Sequence, residues 1–230
     1  MLTDRQQKIL KLIVDNYITN AQAISSDALV EALAVSSATI RNDMHDMTMN
    51  GFLVQPHTSA GRVPSEKGWQ YYVENFMNTD HKLSKKEYTD LESIVVADED
   101  VREKSKQIAK LLSSLASNAV MVAYKPRDMY YTGLTNLFSQ PEFNELQSVV
   151  HISQVIDHLD DVMMTIFDSI QDVGVAVGQE NPFSPECSVV IGSIDSEKNG
   201  KWIMGILGPM RMNYDYYFAL LRTVRELLTK

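Results

Sequence analysis

The start of the chain combines helical apolar spacing with short polar breaks. Apolar side chains recur three and four residues apart over residues 2–17, which predicts an amphipathic helix. Thr3 and Gln6 have the spacing of a capping box at the start of that helix. A break follows at Asn20, and Ser25-Ser26 then stand where a second, short helix needs a cap. The apolar positions of this second helix, expected to face inward, are Leu29, Val30 and Leu33.

A third helix is predicted after Ser36-Ser37, which can cap it, and it should stop at Gly51. Two short helices joined by a turn of three or four residues are the pattern of a helix-turn-helix. At 100° per residue, the inward positions of the third helix are Ile40, Met44 and Met47. The opposite side, near the helix start, carries Ala38, Arg41, Asn42 and His45. A buried helix would not carry such groups, so this face is predicted to be exposed, as a recognition surface or simply as a solvated one.

The next stretch predicts a β-hairpin and a closing helix. The apolar run at 52–54 reads as a short strand, and QPHTSAGRVP at 55–64 reads as a proline-bounded turn that holds Arg62 away from the body of the domain. Ser65 can cap a fourth helix, whose apolar residues at i, i+3, i+4 and i+7 are Trp69, Tyr72, Val73 and Phe76. Helix, helix-turn-helix, hairpin and closing helix describe a winged-helix domain over residues 1–77.

Residues 78–230 predict a second domain in which the hydrophobic period changes. The polar stretch 78–87 reads as a linker, and two amphipathic helices follow, with apolar positions between 91 and 115. Apolar, β-branched runs that predict strands lie at 119–124, 129–134, 172–178, 187–195 and 201–208. The fold class is therefore α+β, with an antiparallel sheet packed against helices.

Two further helical stretches complete the second domain. Residues 141–170 are predicted to be largely helical, with a break near His151, and Asn213 opens a last helix. Before that last helix, GPMRMNYDYY at 208–217 has two interpretations. It can be a strand-to-helix joint with an aromatic core, in which Arg211 holds Asp215 or a backbone carbonyl, or it can be a partner surface.

Composition adds a location and excludes some partners. The 230 residues contain a single cysteine, Cys187, which excludes an internal disulfide framework and is typical of a reducing cytoplasm. No apolar run reaches the roughly 18 residues that span a bilayer, and the first residues lack the apolar stretch of a secretory signal. The protein is therefore expected in the cytoplasm, without a membrane contact.

The charge distribution argues against DNA binding through the overall field. Residues 1–77 hold six Lys/Arg against eight Asp/Glu, a net charge of −2, and the remaining 153 residues hold fifteen against twenty-two, a net charge of −7. Neither part has the basic balance that is typical of nucleic-acid binding, so any DNA contact must rest on a local cluster.

Such a cluster is predicted where the helix-turn-helix meets the hairpin. The start of the third helix can bind phosphate through hydroxyl and amide groups, and its outward face would meet base edges in the major groove. Arg62 would reach a neighbouring phosphate or the minor groove. The candidate DNA-binding residues are Ser36, Ser37, Thr39, Arg41, Asn42, His45, His57, Thr58, Ser59, Arg62 and Lys67. A small helical domain with an exposed loop is the alternative.

Several segments resemble the heat-inducible transcription repressors, the HrcA family. The segments similar to its N-terminal signature are SSATIRNDM (36–44), QPHTSAGRVP (55–64) and KGWQYYV (67–73). Those similar to its C-terminal blocks, in order, are GLTNLFSQPEF (133–143), VAVGQEN (175–181), SVV (188–190) and GILGPMRMNYDYYFALL (205–221). The resemblance implies a dimeric repressor with a GAF-like second domain. It also implies an inverted-repeat operator, the CIRCE element, upstream of chaperone operons, with the GroE chaperonin favouring the active form.

The chain departs from that family at one place. Members carry an inserted dimerisation domain between a strand like the one at 119–126 and the block at 133–143, where this chain has only RDMYYT. It therefore resembles a short form to which the family's mode of dimerisation cannot be transferred, and the helices at 91–115 or the last helix could supply the contact instead. Met47-Thr48 replaces a more usual Leu-Glu, a change not expected to affect DNA contacts.

Two other classes of function are open to this pattern. A winged helix with a net charge of −2 could contact a protein partner and no longer read an operator. An enzyme built on the second domain is the other class, but no paired carboxylates, nucleophile–base pair or metal constellation supports it. His151 and His158 lack the i, i+4 spacing of a metal site, and Cys187 reads as a buried strand thiol. No catalytic group, metal or cofactor is therefore expected.

Overall fold

The computed structural model divides the chain into two compact units, Met1–Met77 and Asn78–Lys230. The residues it describes are 2–58, 60–143, 146–196 and 200–229. Each unit has its own buried core and its own antiparallel sheet.

The first unit is a helix-turn-helix followed by a two-stranded antiparallel hairpin and a closing helix, in the predicted order. The predicted capping box is confirmed, because the Thr3 hydroxyl accepts the Gln6 N–H while the Thr3 N–H donates to Gln6 Oε1 at 3.0 Å. A 3-10 turn at Asp27–Leu29 leads into the second helix. The elements are α1 (Asp4–Asn20), α2 (Val30–Leu33), α3 (Ser37–Met49), β1 (Leu53–Val54), β2 (Val63–Pro64) and α4 (Glu66–Phe76).

The core of the first unit forms where α1 packs against α3 and α4. The inward positions predicted on α3 are confirmed, since Ile40, Met44 and Met47 are at most 3% exposed. On α2, Leu29 just before the helix is buried, whereas Val30 and Leu33 are only partly buried because a single helical turn covers little surface. Each fully buried aliphatic side chain contributes about 1.5–3 kcal/mol to folding. The side chains of α1 with no exposed surface are Ile9, Leu10, Ile13 and Val14.

The second unit is a five-stranded antiparallel sheet with helices, as the predicted α+β class requires. The strands lie in the order β4-β3-β7-β6-β5. The elements are α5 (Lys85–Val96), α6 (Val101–Ala116), β3 (Ala119–Lys125), β4 (Asp128–Thr132), α7 (Leu134–Phe138), α8 (Leu146–Asp157), α9 (Leu159–Ile166), β5 (Gly174–Val177), β6 (Cys187–Ser196), β7 (Gly200–Pro209) and α10 (Tyr214–Leu228). The break predicted near His151 is wrong, because α8 continues through it and the interruption comes at His158.

Both faces of this sheet are covered by helices. Residues one apart on a strand point to opposite faces. Cys187 and Val189 of β6 therefore pack in the cluster that contains α7, α8 and α9 side chains. Ser188 points the other way and hydrogen-bonds the Tyr214 hydroxyl of α10 at 2.9 Å. Sheets covered on both faces have continuous apolar strands, which is why these segments show little alternation in the sequence.

The single cysteine is a structural thiol. Cys187 has no exposed surface, and burial raises the pKa of its thiol to about 12. A thiol with so high a pKa is almost entirely protonated at neutral pH, so it lacks the thiolate that a nucleophile needs. The predicted buried strand thiol is therefore confirmed.

The helices considered for a dimer contact use their apolar faces within the second unit. Leu91 on α5, Ile108 and Leu112 on α6, and Leu220 and Val224 on α10 have no exposed surface. These side chains pack inside the second unit, so a dimer contact through these helices would use other residues, such as Val96 of α5, which is 75% exposed.

A tight hairpin stands where the inserted domain of the resembled family is expected. Lys125 pairs with Asp128 across the end of β3 and β4, so that only Pro126 and Arg127 form the connection. Arg102 of α6 fastens this corner, because its guanidinium donates two hydrogen bonds to the Asp128 carboxylate at 2.8 and 2.5 Å. The short connection is therefore an ordered part of the sheet.

The segment predicted as a linker is attached to α10. The Asn78 N–H donates to Asp215 Oδ1 at 3.0 Å. Arg222 donates to the carbonyl oxygens of Thr79 and His81. Residues 85–87 already belong to α5. Within the second unit, this stretch is therefore held in place along α10.

Glu87 adds a pH-dependent contact to that attachment. Its carboxylate accepts the Ser84 N–H at 2.7 Å and the Tyr216 hydroxyl at 2.6 Å. The hydrogen bonds from Ser84 and Tyr216 lower the pKa of Glu87 below its usual value of 4.5. Because the folded pKa is the lower one, the contact stabilises the fold fully above the usual pKa and is lost as the pH falls through the folded pKa.

A Tyr216→Phe variant is expected to melt at a lower temperature than the parent at neutral pH, and the difference should shrink at acid pH. The hydroxyl donates to a carboxylate that becomes protonated, so its removal matters less when Glu87 is neutral. Melting temperatures measured between about pH 3 and pH 7 test this expectation. Tyr88→Phe is the control, because no partner of the Tyr88 hydroxyl lies in the described part of the chain. If the melting temperatures of Tyr216→Phe and the parent differed by the same amount at every pH, this would contradict the pH-dependent contact between Tyr216 and Glu87.

Arg211, expected to hold Asp215 or a backbone carbonyl, is held by the side chains of Glu142 and Gln140. Its guanidinium donates to Glu142 at 2.6 and 3.2 Å and to Gln140 at 2.9 Å. The expected partner, Asp215, accepts the Asn78 N–H instead. Arg211 therefore joins the segment before α10 to the 3-10 turn at Pro141–Phe143, and the interpretation as a structural joint is the better one.

Candidate nucleic-acid interface

The turn of the helix-turn-helix is closed by hydroxyl groups. Ala34 has a left-handed backbone, with φ 54°, which ends α2. The Ser36 hydroxyl caps α3 by accepting the Thr39 N–H at 3.2 Å. The hydroxyls of Ser26 and Ser37 hydrogen-bond each other at 2.9 Å across the motif. The Ser36 and Ser37 hydroxyls, which are predicted to bind phosphate at this end of α3, thus already have internal partners, and the Thr39 N–H is occupied by the cap.

The outward face of α3 carries the polar groups that the sequence predicts there. Arg41, Asn42 and His45 are exposed. None of the three side chains makes a hydrogen bond or ion pair within the described residues. They present free donors and acceptors on a helix whose opposite side is buried, which is the arrangement a helix needs for contact with base edges.

An ion pair holds α3 against α1. Arg5 donates to both carboxylate oxygens of Asp43, at 2.5 and 3.2 Å, and the Asp43 side chain is only 10% exposed. Hydrogen bonding and charge attraction from Asp43 raise the pKa of Arg5. Asp43 lies about 40° from Met47 around the helix, beside the inward sector. An acidic group at that angle is the signal in the sequence for an ion pair with a neighbouring helix.

The hairpin is braced by a side chain that the sequence did not single out. Gln55 Nε2 donates to the carbonyl oxygens of Thr58 and Ala60, at 2.9 and 3.0 Å. His57 and Thr58 are exposed at the tip of this loop. Ser59, the third candidate in the loop, lies outside the described residues.

Arg62 lies at the foot of the hairpin, and the expectation that the turn lifts it away from the domain is wrong. Its backbone pairs with Ile24 through two hydrogen bonds of 2.8 and 2.9 Å. Its Nε donates to the Thr48 hydroxyl of α3 at 3.0 Å, and its Nη1 donates to the Gly61 carbonyl at 3.3 Å. Thr48 therefore orients the arginine, although the change at Met47-Thr48 is not expected from the sequence to affect DNA contacts.

Two glycines permit the close approaches that assemble this surface. A Cβ on Gly61 would lie 2.2 Å from the Ile24 carbonyl oxygen, and a Cβ on Gly68 would lie 2.2 Å from the Phe52 carbonyl oxygen. Both distances are far below van der Waals contact, so any larger residue would displace backbone. The sequence alone does not show that either glycine is required, because the opposing carbonyl comes from another part of the chain.

Lys67 is bound at the far end of α3. Its Nζ donates to the Asn50 carbonyl at 3.0 Å and lies 4.3 Å from the centre of the Phe52 ring. A cation at the C-terminus of a helix is favoured by the helix dipole. The side chain is exposed, so it is also open to solvent on its outer side.

A polar cleft of about 380 Å³ separates the helix-turn-helix from the foot of the hairpin. We call it the α3–hairpin cleft. It contains both arginines of this surface and a single acidic residue. Its lining residues are Ile24, Ser25, Ser26, Asp27, Arg41, Met44, Gln55, Thr58, Ala60, Gly61 and Arg62. Two of the six basic residues of the first unit thus lie together, although the net charge of the unit is negative.

A metal site and a membrane span find no support in the described part of the chain. Among its residues, no group of three or more His, Cys, Asp or Glu side chains is arranged to hold a metal ion. A search of the same residues finds no helix that is both long and apolar enough to cross a membrane. The candidate functional surface is the α3 face with the hairpin, where exposed polar side chains and the cleft lie together.

Known proteins are similar to both units. The family model described as the HrcA protein C terminal domain matches residues 70–217, and the DeoR-like helix-turn-helix domain matches residues 5–66. The heat-inducible transcription repressor HrcA of Halalkalibacterium halodurans is 27% identical, with 100% of this chain and 97% of the relative covered. That of Brevibacillus brevis is 26% identical, with 100% and 98% covered. That of Clostridioides difficile is 41% identical over 54% of this chain and 37% of the relative.

Length and fold can be compared as well. The alignment with the Halalkalibacterium halodurans protein runs over 335 residues, whereas this chain has 230, a difference of 105 positions to which this chain contributes no residue. A crystal structure described as that of a hypothetical protein has the same fold, with a TM-score of 0.81 and 18% identity, covering 100% of this chain and 98% of that one.

Proposed function

Because this chain belongs to the HrcA family of heat-inducible transcription repressors, we propose that it represses heat-shock and chaperone genes by binding an inverted-repeat, CIRCE-like operator. The observation that carries the proposal is the outward face of α3, where Arg41, Asn42 and His45 are exposed and without partners among the described residues. Such a face serves no purpose in packing and suits the major groove of double-stranded DNA.

Each part of the first unit has its own role in this proposal. Asn42 and His45, on the outward face, read base edges, and the amides at the start of α3 bind phosphate, with Ser36, Ser37 and Thr39 shaping that end. The hairpin steadies the complex through its exposed tip, where His57 and Thr58 lie, and Ser59 follows them in the sequence. Lys67 contributes positive charge at the other end of the helix. Arg41 and Arg62 line the cleft between these parts and are considered separately below.

We propose that the repressor acts as a homodimer on its operator. A single winged helix makes few contacts, and a two-fold dimer matches an inverted repeat with half-sites on one face of the duplex. In this short form the second unit, residues 78–230, provides dimerisation and regulation without the family's insert. We further propose that the protein acts in the cytoplasm, that the GroE chaperonin favours its active form, and that it has no catalytic activity.

Titration of the full-length protein against labelled duplexes tests the proposal. An inverted-repeat operator and a duplex with both repeats scrambled are compared at several salt concentrations. Binding to the operator should be at least about a thousandfold tighter, since specific complexes exceed nonspecific ones by roughly 10³–10⁷. Equal affinity for the two duplexes would overturn operator recognition and favour a protein-interaction module. The mass of the complex in solution tests the dimer, and a monomer on DNA would exclude it.

Asn42→Ala is expected to relax base preference at one position in each half-site. An asparagine that bonds an adenine edge contributes about 1–3 kcal/mol of discrimination, and alanine cannot replace those bonds. The measurement is a set of titrations against operators in which each base pair is changed in turn. Lys8→Gln, which removes an exposed charge from α1, is the matched control and should leave the order of preferences unchanged. A uniform loss of affinity for every duplex would contradict base reading by Asn42.

A further inference from the structure

We propose that the α3–hairpin cleft binds a single phosphate of the DNA backbone and that Arg41 and Arg62 hold this phosphate jointly. The inference rests on the proposed DNA-binding function and deepens it. It assigns Arg41 to a contact with the DNA backbone. The position of Arg41 around α3, taken alone, would group it with the residues that read base edges.

The first step concerns free hydrogen-bond donors. Arg62 uses Nε for the Thr48 hydroxyl and Nη1 for the Gly61 carbonyl, while its Nη2 group has no partner among the described residues. Arg41 also lines the cleft and has no partner there. Two guanidinium groups with unused N–H donors therefore line one small cleft, and guanidinium is the group best suited to a phosphate oxygen.

The second step concerns the position of Arg41 on the helix. Met44, one turn further along α3, lines the same cleft and is 3% exposed. At 100° per residue, Arg41 lies about 60° from Met44 and about 100° from Asn42. Arg41 thus stands at the edge between the buried and the outward sectors. When a helix enters the major groove, its edges face the phosphates that form the groove walls.

The third step concerns charge and preorganisation. Asp27 is the acidic side chain in the cleft lining, against two arginines, so the lining has one net positive charge to meet one phosphodiester. Ser25 accepts the Ala28 N–H at 3.4 Å, which leaves its own hydroxyl hydrogen to donate. The two backbone bonds between Ile24 and Arg62, together with Thr48, already fix the Arg62 guanidinium. The Arg62 side chain therefore has little conformational freedom left to lose when it binds a phosphate.

Replacement of single phosphates by neutral methylphosphonates tests the proposal with the full-length protein. One replacement in each half-site should lower the affinity of the parent protein about tenfold or more, as expected for a hydrogen bond to a charged group. Arg41→Ala and Arg62→Gln should each lower affinity for the unmodified operator by a similar factor. At that one methylphosphonate position, neither variant should lose anything further, because the charge its arginine would contact is already absent.

Three results would overturn the inference. The two variants could become insensitive to replacement at different phosphates, they could keep the parent's sensitivity at every phosphate, or Arg41→Ala could change which base pairs are preferred. In all three cases the parent protein would still discriminate the inverted repeat from the scrambled duplex. Failure of that discrimination is instead the failure of the proposed function, so the two outcomes are distinct.

Folding is controlled separately. Arg41 is exposed and has no structural partner among the described residues, so Arg41→Ala should melt like the parent and decides the question even if Arg62→Gln unfolds. Thr48→Val removes the acceptor that orients Arg62 without changing the charge in the cleft. It should lower affinity by a smaller factor than Arg62→Gln, and at the same phosphate. Lys8→Gln should be sensitive to methylphosphonates in the same pattern as the parent.

Discussion

A Gly68→Ala variant is expected to lose about 3 kcal/mol or more of the unfolding free energy of the first unit, although it adds only one methyl group. The new Cβ would lie 2.2 Å from the Phe52 carbonyl oxygen and 3.5 Å from a Leu10 methyl group. The carbonyl cannot move freely, because it accepts the Ser65 N–H at 3.1 Å at the start of α4. Displacing α4 would open the core against α1, so DNA binding should be lost together with the fold.

The two buried tryptophans make this loss measurable in the full-length protein. Trp69 lies in the first unit and Trp202 in the second, and each is 3% exposed. In a Trp202→Phe background, urea unfolding followed by fluorescence reports the first unit alone. Lys8→Gln, an exposed change on α1 of the same unit, is the control and should stay within about 0.5 kcal/mol. An unchanged urea midpoint for Gly68→Ala would refute the packing described for α4.

Gly61→Ala is expected to lower affinity for the operator about tenfold to a hundredfold while leaving the core of the first unit folded. A Cβ on Gly61 would lie 2.2 Å from the Ile24 carbonyl oxygen, so the two hydrogen bonds between Ile24 and Arg62 cannot form as they are. The hairpin would then separate from the helix-turn-helix at its foot, and Arg62 would leave its place beside Thr48. The loss of one or two charge-assisted contacts corresponds to that range of affinities.

The comparison of Gly61→Ala with Gly68→Ala separates positioning from folding. Operator titration should show the loss of affinity for Gly61→Ala, and Trp69 fluorescence should show a urea midpoint close to that of the parent. Parent-like affinity would mean that the bridge between Ile24 and Arg62 does not set the hairpin. A midpoint as low as that of Gly68→Ala would instead mean that the hairpin is part of the core.

The helical positions of the first unit could be predicted because their signals are local. The Thr3 cap, the Ser36 cap and the inward face of α3 depend on residues within about four positions of one another, which fixes both the hydrogen bonds and the angle around the helix. The exposed face with Arg41, Asn42 and His45 follows from the same periodicity. The elements of the candidate site were therefore predictable, although the roles of its residues in DNA binding remain proposals.

Errors arose where the deciding partner is distant in sequence. Arg62 was expected to stand free, but Ile24 and Thr48 hold it at the foot of the hairpin. For Arg211 the sequence offers Asp215 or a backbone carbonyl as partners, but its carboxylate partner is Glu142, which is 69 positions away. The break in the helical stretch was placed near His151, because a polar residue among apolar ones resembles a helix end, and it lies at His158.

By itself, the sequence determined the order of elements, the α+β class, the outward face of α3 and the segments that resemble one repressor family. Periodicity, capping and motif order are properties of neighbouring residues, so they are visible along the chain. Only the tertiary structure decided that Gly61 and Gly68 lie against backbone carbonyls, that Asp43 pairs with Arg5 across 38 positions, and that a cleft gathers Arg41 and Arg62. Those contacts depend on packing between elements, and packing sets distances that no local spacing in the sequence records.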